Sequence, residues 1–123
     1  RMHGLGINHR DFYLCHFHLD LDSLQQGKLR CHLIDLHRAQ MRTKVPRRWL
    51  VKDLAGLYFS AMDCGLTRRD QLRFLRTYCG GSLRQALGPD LALWRQVERR
   101  ALKLYQKEHA GDTVAAESQE VGK

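Results

Sequence analysis

Hydrophobic and polar positions divide the chain into two regimes. Over 13–19, Tyr13, Cys15, Phe17 and Leu19 alternate with Leu14, His16 and His18, a period of two that predicts a strand. Over 29–35, Leu29, Cys31, Leu33 and Asp35 alternate with Arg30, His32 and Ile34, which predicts the returning strand. Gln25-Gln26-Gly27-Lys28 supplies the turn between them. After Pro46 the period lengthens. Trp49, Leu50, Leu54, Leu57, Tyr58, Ala61 and Met62 recur at spacings of three and four, predicting a helix over 47–63 with a core-facing stripe and a stop at Gly65. Thr67 and Asp70 have the spacing of a capping box, opening a second helix over 67–79 with Leu72, Phe74, Leu75 and Tyr78 available for packing. Gly80-Gly81 ends it, and Ser82 caps a short turn to Leu87. Leu91, Trp94, Val97, Ala101, Leu104 and Tyr105 predict a last helix over 89–108, with its aromatic residues in the core. The polar and small residues of 110–123 are expected to form a disordered tail. The fold class expected is α+β, mostly helical with one short β-hairpin.

Composition narrows this picture. A length of 123 residues suits one domain with one modest core. Lys and Arg total 21 against 13 acids, a net charge of +8 that implies an anionic partner without choosing among nucleic acid, anionic lipid, phosphorylated glycan and acidic protein. No motif sets aromatics for base stacking, so a nucleic-acid partner is not expected. No apolar run is long enough to span a bilayer. Cys15, Cys31, Cys64 and Cys79 lie far apart with no C-x-x-C, and reduced thiols in or near the core are expected. Cys15, His16, His18, Cys31 and His32 do not have the spacing of a zinc site, because strand neighbours point to opposite faces.

Chemistry enters with two acids. Asn8-His9-Arg10-Asp11 is a polar turn carrying a carboxylate ahead of the first strand, and Ile34-Asp35-Leu36 ends the second strand on another. Strands that deliver two carboxylates to neighbouring loops suit phosphoryl transfer. One acid orients or takes the proton of the attacking hydroxyl, and the other holds the Mg²⁺ that bridges the nucleotide phosphates. His9-Arg10-Asp11 matches the H-R-D signature of kinase catalytic loops, and Asp35 stands where the metal-binding Asp would follow. The plain alternative is a surface hairpin with scattered charges. From Arg38 to Lys52 there is no acid, while Arg38, Arg42, Lys44, Arg47, Arg48 and Lys52 form a basic run. Such a run is either a solvated face or a set of guanidinium groups that grips phosphates or carboxylates.

Longer blocks sharpen the motif. Gly6-Ile7-Asn8-His9-Arg10-Asp11, Cys15-His16-Phe17, Ile34-Asp35-Leu36-His37-Arg38-Ala39-Gln40, Lys44-Val45-Pro46-Arg47-Arg48-Trp49 and Lys52-Asp53-Leu54 with Gly56-Leu57-Tyr58-Phe59-Ser60 follow one another over about half the chain. In this order they resemble the bacterial lipopolysaccharide core heptose kinases.

The resemblance implies a protein-kinase-like C-terminal lobe over 1–109, with a catalytic loop at 8–16 and a metal-binding loop at 34–37. It implies ATP and Mg²⁺ as cofactors and an inner-core heptose of Gram-negative lipopolysaccharide as acceptor. Asp11 would be the catalytic acid and Asp35 the metal ligand. His9, Arg10 and Asp53 would be structural supports, with Asp53 bracing the catalytic loop. Arg38, Arg42, Arg47 and Arg48 become candidate acceptor-binding residues, since lipopolysaccharide inner core and lipid A carry phosphates and carboxylates. One departure is His16, which stands where protein kinases have their catalytic-loop Asn. It is a candidate for metal or nucleotide phosphate, and sequence leaves its job open. The Gly-rich loop and phosphate-binding Lys of a kinase N-terminal lobe are missing, so the chain is expected to be the C-terminal lobe of a longer protein, inactive by itself. The cytoplasmic face of the inner membrane is the expected location, with peripheral contact to anionic lipid. Two other readings stand beside this one. A kinase-like protein could act on another hydroxyl, such as protein tyrosine. A basic helical module could bind an acidic partner such as acyl carrier protein through Arg68, Arg69, Arg73 and Arg76.

Overall fold

A computed structural model of the protein describes residues 1–110 with their side chains. The backbone is described as far as Val121, and residues 110–121, where a disordered tail is expected, are helical. Strands β1 (Ile7–Asn8), β2 (Phe17–Leu19), β3 (Cys31–Leu33) and β4 (Gln40–Met41) occupy the first third of the chain, with helix α1 (Leu21–Gln25) between β2 and β3. Helices α2 (Arg47–Ala61), α3 (Arg68–Tyr78), α4 (Leu83–Leu87) and α5 (Leu91–Val121) follow.

The strands form two separate antiparallel ladders. In the first, Phe17, His18 and Leu19 face Leu33, His32 and Cys31. This is the expected hairpin, but shorter: the alternating pattern of 13–19 gives way to a 3₁₀ turn at Leu14–His16. Its connection is also not a tight turn, because the Asp20 carboxylate accepts from the backbone N–H groups of Asp22 and Ser23 and so caps α1. The second ladder, Ile7 opposite Met41 and Asn8 opposite Gln40, carries no sequence period at two residues a strand. Together the ladders clamp both ends of two facing loops. The chain leaves β1 through residues 9–16 to β2, and returns from β3 through 34–39 to β4.

Helix α2 is the platform under these loops. Val51, Leu54 and Ala55 pack with Ala86, Trp94, Val97 and Ala101 as one buried cluster, joining α2 to α4 and α5. Full burial of a side chain such as Leu54 contributes about 2 kcal/mol. Phe74, Tyr78 and Trp94 meet edge-to-face or stacked above it, which brings α3 onto the core. The Thr67–Asp70 capping box has both of its hydrogen bonds. An apolar cavity of about 420 Å³ remains between α2, α3 and α5, lined in part by Leu57, Tyr58, Leu72, Phe74 and Val97.

Two expectations need correction. Cys15 in the 3₁₀ turn, Cys31 in β3 and Cys64 beyond the end of α2 are exposed rather than core residues; Cys79 is half-buried, and all four are free thiols. Trp49 is not part of the α2 core stripe: it sits half-buried at the start of the helix with cationic side chains around its ring.

Candidate active site

The site is built on one buried carboxylate. Asp53 lies on the inner face of α2 and is 1% exposed. Its Oδ2 accepts the His9 backbone N–H at 2.7 Å, and its Oδ1 accepts the Arg10 N–H at 2.9 Å. Two consecutive N–H groups aimed at one carboxylate require a sharp bend, and Arg10 takes it with φ +75°. A left-handed conformation at a residue with a long side chain costs of order 1 kcal/mol or more, and Asp53 offsets it. His3, which belongs to none of the sequence motifs, completes the brace. Its Nε2 donates to Asp53 Oδ2 at 2.8 Å, and its Nδ1 meets the Tyr78 hydroxyl at 2.7 Å. Burial pushes Asp53 up, but the bonds from His3, His9 and Arg10 outweigh it and hold the carboxyl below its usual range. Burial foremost, then the electrostatic influence of Cys79 and Asp53, raises Tyr78 above the ordinary phenol range.

His9 is fully buried and locks the two loops together. Its Nδ1 accepts the Asp11 N–H at 3.1 Å, which leaves the proton on Nε2 to donate to the Ile34 carbonyl at 2.8 Å. One tautomer satisfies both bonds. Asn8 reaches across the ladder to Gln40 at 3.3 Å.

His16 makes the second link. Its Nδ1 donates to the Asp11 carbonyl at 2.7 Å, and its Nε2 faces Asp35 Oδ2 at 3.1 Å. Asp35 is held in the left-handed region, φ +62°; Arg10 and Asp35 are the non-glycine residues with positive φ among the described residues. Its other oxygen lies 3.3 Å from His37 Nδ1. Asp11 Oδ1 accepts from Arg38 Nη1 at 3.1 Å, while Asp11 Oδ2 is buried and has no hydrogen-bond partner. So Asp11, His16 and Asp35 come together, and Arg38 joins them. The other expected acceptor residues diverge. Arg42 hydrogen-bonds Gln40 and, like Arg48, lies against Trp49, whereas Arg47 donates to Gln96 of α5 at 2.7 Å.

Among the described residues no group of three or more His, Cys, Asp or Glu side chains has metal-holding geometry. Asp35 and His16 offer a pair of donors. A pair fits an ion that takes its remaining ligands from water and nucleotide phosphates, as Mg²⁺ usually does.

Residues 1–78 match the family model of the lipopolysaccharide kinase (Kdo/WaaP) family, which takes in every one of these site residues. The chain belongs to this family. It is similar to the lipopolysaccharide core heptose(I) kinase WaaP of Pseudomonas aeruginosa, 54% identical over 115 residues that make up 92% of this chain and 43% of that protein. The WaaP of Escherichia coli is 50% identical over 107 residues, 86% of this chain and 40% of that protein. A solved structure of WaaP in complex with acyl carrier protein superposes with a TM-score of 0.73 at 55% identity, covering 85% of this chain and 44% of that one. Against the family's relatives, this chain spans less than half their length.

Proposed function

We propose that this Kdo/WaaP-family chain carries the catalytic and metal-binding loops of an ATP-dependent kinase that phosphorylates a heptose of the lipopolysaccharide inner core. The single observation that carries this reading is the link through His16, which joins the Asp11 backbone to the Asp35 carboxylate. The names of the relatives support the same activity. So does a mixed helix-strand fold that resembles WaaP, which we read as a kinase-like C-terminal lobe.

In this reading the open Oδ2 of Asp11 accepts the proton of the attacking heptose hydroxyl, and Arg38 fixes the carboxylate through Oδ1. Asp35 and His16 would hold Mg²⁺, which supplies charge stabilisation for the transferring phosphoryl group when bound. His9 and Asp53 position the loop and touch no substrate, and Arg10 supports it through its backbone N–H. Of the basic segment 38–52, the cations gathered at Trp49 (Arg42, Arg48 and Lys52) face the anionic acceptor. The solved WaaP complex supports acyl carrier protein as a partner here too, and the positive charge of Arg68, Arg69, Arg73 and Arg76 on α3 makes them its docking face in this reading. The place of work in this reading is the cytoplasmic surface of the inner membrane; none of the described helices is long and apolar enough to cross a membrane.

The test is transfer of labelled phosphate from ATP to lipopolysaccharide lacking its heptose phosphate, made with the full-length protein. Asp11→Asn and Asp35→Asn should each lose transfer by about a thousandfold or more while keeping their fold. Undiminished transfer by either variant removes that residue from the mechanism. A wild-type protein that phosphorylates a tyrosine peptide and not lipopolysaccharide would overturn the acceptor.

A further inference from the structure

Cations crowd Trp49 at the start of α2. The guanidinium carbon of Arg48 lies 5.0 Å from the centre of its ring, Lys52 Nζ 5.1 Å, and those of Arg10 and Arg42 5.6 Å each. The face of an indole attracts a cation, but several cations gathered on one indole also repel one another. Among the described residues none of these side chains forms an ion pair with an acid. The Arg10 Nε and the Trp49 Nε1 are buried and have no hydrogen-bond partner.

A small cavity lined by two of these cations adds a second observation. It measures about 70 Å³ and is lined by Arg10, Lys52 and Arg100 with Phe12, Tyr13, Gly56 and Leu104, and none of these is an acid. Arg10 and Lys52 belong to both features. Their supports are rigid. The Arg10 backbone is fixed by Asp53, and Lys52 stands on α2. Arg42 shares the Gln40 side-chain oxygen with Asn8, and its backbone N–H donates to the Gly6 carbonyl at 2.8 Å. Cations held in place with no carboxylate to neutralise them are organised for an anion from outside, and the planar guanidinium matches phosphate and carboxylate oxygens.

We propose that Arg42 and Arg48 at the Trp49 ring, Arg100 at the small cavity, and Arg10 and Lys52, which belong to both, form an anion subsite that takes a phosphate monoester or carboxylate of the saccharide acceptor. The assignment to the acceptor rests on the kinase reading above. The subsite joins the catalytic loop at Arg10, next to Asp11, which receives the acceptor hydroxyl. Asp35, the acid on the nucleotide side, contacts His16 and His37 instead.

The test has a binding arm and a kinetic arm, both on the full-length protein. Inorganic phosphate is titrated by calorimetry with ADP saturating the nucleotide site, comparing wild type with Arg48→Ala/Lys52→Ala and, separately, with Arg42→Gln. The double variant should bind phosphate at least about tenfold more weakly, with an unchanged melting temperature. Arg42→Gln, on a different element, should weaken it severalfold. Unchanged phosphate affinity in both variants overturns the subsite. In the kinetic arm the double variant should raise the acceptor KM about tenfold or more and leave the ATP KM within twofold. A raised ATP KM with an unchanged acceptor KM would assign the anion to the nucleotide and overturn the acceptor assignment. The titration needs no turnover, so a wild type inactive on lipopolysaccharide would sink the kinase reading while the phosphate result still decided the subsite.

Discussion

Arg38 donates from Nη1 to Asp11 Oδ1 at 3.1 Å, which leaves Asp11 Oδ2 as the buried, open oxygen of the pair. Arg38 comes from the loop after Asp35, so the metal-side loop sets the rotamer of the acid on the catalytic loop. With Arg38→Met, a side chain of similar length without the donor, Asp11 should lose its fixed orientation. We expect kcat to fall about tenfold or more with the ATP KM nearly unchanged, measured by steady-state kinetics on the full-length protein. A change confined to the acceptor KM would make Arg38 an acceptor-binding residue instead.

Asp53→Asn keeps the shape of the brace and removes its charge. The amide can accept from the His9 or the Arg10 N–H but not from both and His3, and its NH₂ group opposes one of these donors. A loss of roughly 3 kcal/mol is expected, read as a lowered melting temperature. A stability within about 0.5 kcal/mol of wild type would show that the brace contributes little.

The same residue sets an acid limit. The Asp53 pKa is depressed in the folded protein, so its contribution to stability is complete above the unfolded carboxylate value of about 3.9 and is lost as pH falls through the lower folded value. Melting temperature should therefore drop steeply below about pH 4 in wild type. Asp53→Asn should melt lower at neutral pH and fall less over the acid range. Parallel curves would place the acid sensitivity elsewhere.

His16 should tune the choice of metal. A nitrogen donor beside Asp35 favours Mn²⁺ over Mg²⁺ relative to an all-oxygen set. We expect the ratio of Mn²⁺- to Mg²⁺-supported transfer to fall several-fold in His16→Asn, and His16→Ala to lose activity with both metals. An identical metal ratio in wild type and His16→Asn would remove His16 from the metal site and leave it as a link between loops.

Gly6 is where β1 meets the chain beyond β4. Its φ is +85°, and a Cβ there would lie 1.8 Å from the Arg42 carbonyl oxygen. Gly6→Ala should cost about 2 kcal/mol or more and separate the ladder that pins both loops. A thermal melt matching wild type would show that the β1–β4 junction can shift without loss.

Local signals carried much of this protein into view. The spacing of Leu54, Leu57, Tyr58 and Ala61 is the period of α2, and Thr67 with Asp70 announces α3, because helical periodicity and capping are properties of neighbours in sequence. His9-Arg10-Asp11 and Asp35 mark the two loops by residue type alone. The alternation over 13–19 overstated its strand, since a period of two says which side chains share a face and not how far the ladder runs. What tertiary structure decided is everything that crosses between segments. The β1–β4 ladder is too short to print a pattern, and His3 joins Asp53 across 50 positions with no motif around it. The basic run from Arg38 to Lys52 reads as one feature along the chain, yet folding sends Arg38 to Asp11, Arg47 to Gln96, and Arg42, Arg48 and Lys52 to Trp49. Sequence fixes each cation's charge and reach; its partner depends on which backbone the fold brings alongside.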